Sequence, residues 1–206
     1  MEKIVLIGAG GYCAAVIDSI LDEGRYEIAG ITDPVKKGSW NGIDVLGTDD
    51  VLPEVFGSGI RKAHVTVGSI ARPDKRKELV HLAEKIGFEL VSVIDPAARI
   101  ARSAKLGKMA YVGKLAVINS MVGIGDYCMI NTGSIIEHGC SIADWVHIAP
   151  GCTLAADIVV GDSSHVGVGT TVLQGVRIGH DTVIGAGSVV VRSVDSNRTV
   201  YGVVKG

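Results

Sequence analysis

Apolar positions along this chain follow two different rules, and the change falls near Pro96. Before it, short β-branched runs alternate with segments of helical spacing. Ile4-Val5-Leu6-Ile7 reads as a strand and runs into Gly8-Ala9-Gly10-Gly11. Ala14, Ala15, Val16, Ile17, Ile20 and Leu21 then form an apolar face at helical spacing. A second strand over residues 27–32 ends at Asp33-Pro34. Further on, the pattern predicts a strand over 63–67, a helix over about 73–86 and a strand over 88–94. Such alternation predicts an α/β unit over residues 1–95, a small parallel sheet covered by helices.

After Pro96 the period is six. Starting at Ile100 and stepping by six, the residues are Leu106, Val112, Ile118, Ile124, Ile130, Ile136, Ile142, Ile148, Leu154, Val160, Val166, Val172, Ile178, Ile184 and Val190. All sixteen positions are Ile, Leu or Val, types that supply only 62 of 206 residues, so the run is not chance. The following residue is Gly, Ala or Asn in thirteen of the sixteen cases, and the residue four after the aliphatic is small in eleven. A period of six is neither helical nor simple alternation. Repeats of fixed period signal a solenoid. Three hexads make a triangular coil of eighteen residues, with aliphatics stacked inside and corners tight enough to favour Gly or Asn. Residues 96–206 are therefore expected to form an all-β solenoid.

Composition agrees: Val and Ile number 51 against 11 Leu, and Gly stands at 28. That bias favours short strands and tight corners over a helical bundle. Net charge is -2, and no Lys or Arg occurs between Leu115 and Val176. A surface that tracks phosphate backbones needs clustered cations, so a nucleic acid partner is not expected. Apolar runs are far shorter than the roughly 20 residues of a membrane span, so none is expected, and the stretch after Met1-Glu2-Lys3 lacks the length and cleavage site expected of a signal peptide. A cytoplasmic protein is expected. Cys128, Cys140 and Cys152 recur every twelve residues on the small positions of the repeat, which predicts free buried thiols for them rather than disulfides.

Candidate chemistry sits in both parts. Gly8-Ala9-Gly10-Gly11-Tyr12-Cys13 follows a strand and opens a helix, where backbone N–H groups can receive phosphate. Asp33, at the end of the second strand, is placed to accept hydroxyl hydrogen bonds. In the repeat, His147 and His165 are eighteen apart and should stack at one corner of successive coils. No short His spacing matches a zinc ligand motif, so no metal is expected. His138 lies outside the inward positions, between Glu137 and Gly139, with Asn131 on the preceding face. A neutral imidazole there can take a proton from an attacking amine or hydroxyl. Glu137, Asn131 or a backbone carbonyl would orient it.

The stretch from Ile130-Asn131-Thr132-Gly133-Ser134 through Glu137-His138, followed by Asp144-Trp145-Val146-His147-Ile148-Ala149-Pro150, resembles the signature of one hexapeptide acyltransferase family. That family includes UDP-N-acetylbacillosamine pathway and perosamine N-acetyltransferases and sialic acid O-acetyltransferases. Ile7-Gly8-Ala9-Gly10-Gly11 and Val67-Gly68-Ser69 resemble its N-terminal sugar-nucleotide domain, so the similarity spans nearly the whole chain. It implies a Rossmann-like nucleotide-sugar-binding domain over 1–95 and a left-handed parallel β-helix acyltransferase domain over 96–206. It implies acetyl-CoA as co-substrate and a nucleotide-linked amino sugar, such as a UDP-4-amino-4,6-dideoxy sugar for a surface glycan, as acceptor. It also implies a homotrimer.

Residue by residue, the resemblance makes His138 the general base, and His147, Val168 and Ala186 contacts to acetyl-CoA. It makes Gly10, Gly11, Tyr12, Asp33 and Gly68 contacts to the nucleotide sugar. Two other readings stay open, a sugar O-acetyltransferase and a non-catalytic nucleotide-sugar-binding scaffold. Three departures stand out. Gly139 replaces an acid that usually follows the base, Tyr12 replaces a frequent His, and the chain ends Gly202-Val203-Val204-Lys205-Gly206 where the family has Gly-Val-Pro-Ala-Lys. If no carboxylate partners His138, Gly139→Glu is expected to restore the acid and raise turnover.

Overall fold

The computed structural model describes residues 1–205. It separates into two compact units, one of residues 1–69 and 73–96 and the other of residues 70–72 and 97 onward. Gly206, the last residue of the departing C-terminal sequence, lies outside the described residues.

In the first unit, β1 (Glu2–Ile7) leads into α1 (Gly11–Glu23) and then β2 (Tyr26–Thr32). A hairpin of β3 (Ser39–Trp40) and β4 (Ile43–Gly47) follows, then a short α2 (Leu52–Gly57). β5 (Lys62–Val65), α3 (Asp74–Ile86) and β6 (Glu89–Leu90) complete it. Strand order is β3-β4-β2-β1-β5-β6, parallel except for the hairpin. Cys13, Val16, Ile17 and Ile20 supply the buried face of α1, whereas Leu21, expected in that face, is 61% exposed. Both long helices end where glycine alone takes a left-handed backbone cheaply, at Gly24 (φ 66°) and Gly87 (φ 109°). The expected strand over 88–94 is two pieces, Glu89–Leu90 and Val93–Ile94. The hairpin and α2 were not signalled, because their apolar residues are too few to set a period.

From Arg99 the chain winds as two-residue strands every six residues, each ending on the inward aliphatic. The strands stack in parallel register eighteen apart, as in Ile118↔Ile136 and Ile130↔Ile148. A first face carries Arg99–Ile100, Val117–Ile118, Ile135–Ile136, Thr153–Leu154, Thr171–Val172, Val189–Val190 and Val203–Val204. A second holds five strands from Lys105–Leu106 to Arg177–Ile178, and a third includes Tyr111–Val112, Met129–Ile130, His147–Ile148 and His165–Val166. Fourteen of the sixteen aliphatics are buried; Ile100 and Leu106, in the first coil, are less so. After Val190 the period fails. Val194, Val200 and Val204 close the last coil with steps of four and six.

The corners explain the two small positions differently. Directly after the aliphatic, space is short: a Cβ on Gly161 or Gly167 would lie 2.6 Å from a backbone nitrogen of the next coil. The left-handed backbone falls two residues later, and Leu115, Met121, Tyr127, Trp145 and Asp157 adopt it there as well as Gly133 and Gly139. Four after the aliphatic, Cys128, Cys140, Cys152, Ser164 and Thr170 each donate to the carbonyl fifteen residues on. Those thiols are free and buried, as is Cys13. Burial pushes Cys13 and Cys152 up to about 11, so neither is poised as a nucleophile. No helix among the described residues is long and apolar enough to cross a membrane.

Candidate functional site

At the carboxyl ends of β1, β2 and β5 the first unit gathers the residues singled out in its glycine turn. Strand β1 is flanked by β2 on one side and β5 on the other, and open α/β sheets receive ligands where the chain reverses in this way. Gly8 has φ +105°, and a Cβ on it would strike Val67 at 2.5 Å, so only glycine lets the turn pass the end of β5. Gly10 caps α1 without a side-chain hydrogen bond, and a Cβ on Gly10 or Gly11 would meet nothing within 4 Å. Open space there leaves glycine unexplained by packing.

Asp33 is bound on both oxygens. Oδ2 accepts the Ala9 N–H at 2.9 Å, while Oδ1 accepts those of Val35 and Lys36, each at 2.9 Å. Partial burial alone would raise its pKa, but the N–H groups of Lys36, Val35 and Ala9 and the Lys36 charge hold it below the usual carboxylate range. It thus stays ionised beside the turn. Gly68 lies against Tyr12, whose Cβ would be 3.7 Å from a Cβ at 68. The Tyr12 hydroxyl is 3.3 Å from Nε2 of His64, a residue the sequence did not single out. His64 is fully buried and its Nδ1–H donates to the Val91 carbonyl at 2.8 Å. Burial lowers its pKa to about 4, so Nε2 is an acceptor and Tyr12 donates to it.

In the solenoid, His138 and Glu137 stand on the corner between the first and second faces, both in contact with solvent. Glu137 Oε2 accepts from His138 Nδ1 at 3.4 Å and from the His138 backbone N–H at 3.3 Å. Its other oxygen, Oε1, accepts Nδ2 of Asn119 at 3.0 Å, one coil earlier. With Nδ1–H so engaged, Nε2 is the basic nitrogen. Asn131, the alternative partner for His138, is elsewhere. It occupies the corner between the third and first faces, where Nδ2 donates to His147 Nε2 at 2.8 Å and to the Ile148 carbonyl at 3.2 Å.

His147 and His165 pair on the third face itself, not at a corner, with ring centroids 4.6 Å apart and edge to face. Burial lowers the pKa of His165, whose Nδ1 is buried without a hydrogen bond. Val168 and Ala186 stack one coil apart on the same corner as Asn131, both exposed, and the Gly187 N–H donates to the Val168 carbonyl at 2.8 Å. Among the described residues no three His, Cys, Asp or Glu side chains gather as metal ligands. At position 139 the condition for adding an acid is not met, because Glu137 already partners His138. Gly139 has φ +73°, and a Cβ on it would lie 2.3 Å from Asp157 Oδ1. Gly139→Glu therefore cannot simply restore an acid: the backbone disfavours a side chain, and a carboxylate already fills the space.

Comparison with known proteins gives the chain relatives along its length. Residues 3–83 match the PglD N-terminal domain, and residues 121–156 match the bacterial transferase hexapeptide (six repeats). No curated protein matches the chain in sequence. Among solved structures it is similar to a mutant of perosamine N-acetyltransferase from Caulobacter crescentus, in complex with CoA and GDP-perosamine. Identity is 34%, over 98% of this chain and 94% of that one, with a TM-score of 0.91. The acetyltransferase domain of PglB from Neisseria gonorrhoeae FA1090 is 30% identical over 98% and 97%, also with a TM-score of 0.91. WeeI from Acinetobacter baumannii AYE shares the fold at 24% identity, covering 98% and 97%, with a TM-score of 0.84.

Proposed function

The chain belongs to the hexapeptide-repeat sugar acetyltransferases, and we propose that it moves the acetyl group of acetyl-CoA onto the amino group of a nucleotide-linked amino sugar. The observation that carries this reading is the full-length likeness to an enzyme crystallised with CoA and GDP-perosamine. The first unit is read as a Rossmann-like domain in which Gly10, Gly11, Tyr12, Asp33 and Gly68 hold the nucleotide sugar. The solenoid is read as a left-handed β-helix, and His147, Val168 and Ala186 as its acetyl-CoA contacts.

In this mechanism the sugar amine attacks the thioester carbonyl, so that a C–N bond forms as the C–S bond breaks. His138 Nε2 takes the amine proton and passes it to the departing CoA sulfur. Glu137 on Nδ1 supports the imidazolium formed on the way. A backbone N–H stabilises the oxyanion. No covalent enzyme intermediate is required, which agrees with the buried, high-pKa thiols of Cys13 and Cys152.

The distribution of apolar surface on the solenoid supports reading the protein as a homotrimer. From residue 97 on, the exposed large hydrophobics are Leu115, Met121, Val168, Leu173, Val189, Tyr201 and Val203. All seven fall on the first face or on its two bounding corners. After Arg99, the outward column of that face is Val117, Ile135, Thr153, Thr171, Val189 and Val203, without a charge. Packing three such faces about a common axis buries the column. It also brings the corner bearing Val168 and Ala186 in one subunit beside the corner bearing Glu137 and His138 in the next. Base and cofactor contacts are then supplied by different copies.

The test is thiol release from acetyl-CoA in the presence of UDP-, GDP- and dTDP-linked amino sugars, with hydroxyl-only sugars alongside. Turnover confined to the amino sugars is expected. Release only with hydroxyl acceptors would replace this reading with O-acetylation, and release with none would leave a binding scaffold.

A further inference from the structure

We propose that Asn119 is a positioning residue for this reaction, holding the Glu137 carboxylate in the orientation that presents His138 Nε2 to the amine. The proposal rests on the reading of His138 as the base. Glu137 occupies the position directly after an inward aliphatic, where Gly, Ala or Asn stand in thirteen of sixteen hexads, and it is the one charged residue there. Nothing in the solenoid's packing asks for an acid at this place. A glutamate side chain that is 40% exposed has several rotamers, and ordering it costs entropy that the long contacts to His138, at 3.3 and 3.4 Å on one oxygen, would not offset.

The stacking of the coils supplies the missing restraint. Asn119 occupies the equivalent position eighteen residues earlier, and its Nδ2 donates to Glu137 Oε1 at 3.0 Å. A carboxylate facing an amide selects the NH2 end, so the donor assignment follows from the partner. The carboxylate is then bound at both ends, by Asn119 on Oε1 and by the backbone and side chain of His138 on Oε2. Because the Asn119 amide is neutral, it fixes Glu137 without cancelling its charge, which remains available to Nδ1–H. The other route to an acid beside the imidazole is obstructed. At Gly139 a Cβ would collide with Asp157, whose N–H donates to the His138 carbonyl at 3.0 Å and whose Oδ2 accepts from Gln174 at 3.4 Å. The acid left to partner the base is therefore the one that precedes it, and the coil below steadies it.

The experiment compares Asn119→Ala, Asn119→Gly, Glu137→Gln and the double variant Asn119→Ala/Glu137→Gln in the full chain, by kcat, both KM values and the pH profile of kcat/KM. Ala and Gly are the commonest residue types at this position of the repeat, so both Asn119 variants are compatible with the fold. Each is expected to lower kcat by roughly three- to thirtyfold with both KM values nearly unchanged, and to move the acidic limb of the profile toward lower pH. Combined with Glu137→Gln, Asn119→Ala should add nothing, since its effect runs through that carboxylate. Wild-type kcat and pH profile in Asn119→Ala, or an additive loss in the double variant, with His138→Ala inactive, overturns this proposal alone. Normal turnover by His138→Ala overturns the assignment of the base and this proposal with it.

Discussion

His64 provides a direct test of how burial sets the chemistry of the first unit. The ring is wholly enclosed, with Nδ1–H on the Val91 carbonyl and Nε2 accepting from Tyr12. Burial, which disfavours the imidazolium, is the main cause of its fall from 6.5 to about 4; the Val91 carbonyl opposes the shift and Arg76 adds to it. Since the folded value is the depressed one, the unfolded chain holds a proton between those two values that the native chain does not. Stability from neutral His64 is therefore complete above about pH 6.5 and declines as pH falls toward 4. At about 1.36 kcal/mol per pH unit, the loss across that window is roughly 3 kcal/mol. His64→Gln keeps a donor and an acceptor but cannot titrate. Urea unfolding of both chains should be followed by Trp40 fluorescence in a Trp145→Phe background, because Trp40 lies in the first unit. Asp33 titrates in both and cancels. The wild-type advantage at pH 8 should shrink by that amount at pH 4. A difference constant with pH would refute the argument.

Other outcomes follow from the solenoid. His138→Ala should lower kcat by about 10²–10⁴-fold with acetyl-CoA affinity retained, measured by steady-state kinetics and calorimetry. Gly139→Glu should lower the melting temperature and not raise kcat, because Asp157 and the left-handed backbone oppose it; a faster enzyme would contradict this. Thr153→Glu with Thr171→Glu places charge at the middle of the first face, on side chains turned away from the interior. Light scattering should show a trimer for the wild type and a monomer for the pair.

The hexad was legible to the residue because one aliphatic points inward from every strand: Ile118 through Val190 were placed by counting alone. What the period could not give is side-chain direction at the corners. Asn131 and Glu137 were equal candidates to orient His138, six residues apart in the chain, yet they stand on different corners. Asn119 carried the signal in its spacing, eighteen before Glu137, but a residue type common at that position hides a specific partner. His64 was illegible for another reason: inside a strand of alternating character, a buried histidine looks like a surface one until Val91 and Tyr12 close over it. The hairpin at Ser39–Gly47 is set by turns rather than by burial, and no periodicity announces it.

The eighteen-residue coil also governs how this protein can change in length over evolution. A helix or a loop absorbs an inserted residue locally, but here every downstream side chain is tied to the coil beneath it. Six extra residues between His138 and Val168 would preserve the interior and still carry Val168 and Ala186 from one corner to the next. Twelve would carry them to the remaining one. Only a whole coil returns each side chain to its corner, and even then one storey further from His138. An insertion between His138 and Val168 is therefore expected to keep these corners in place only when it is a whole number of eighteen-residue coils.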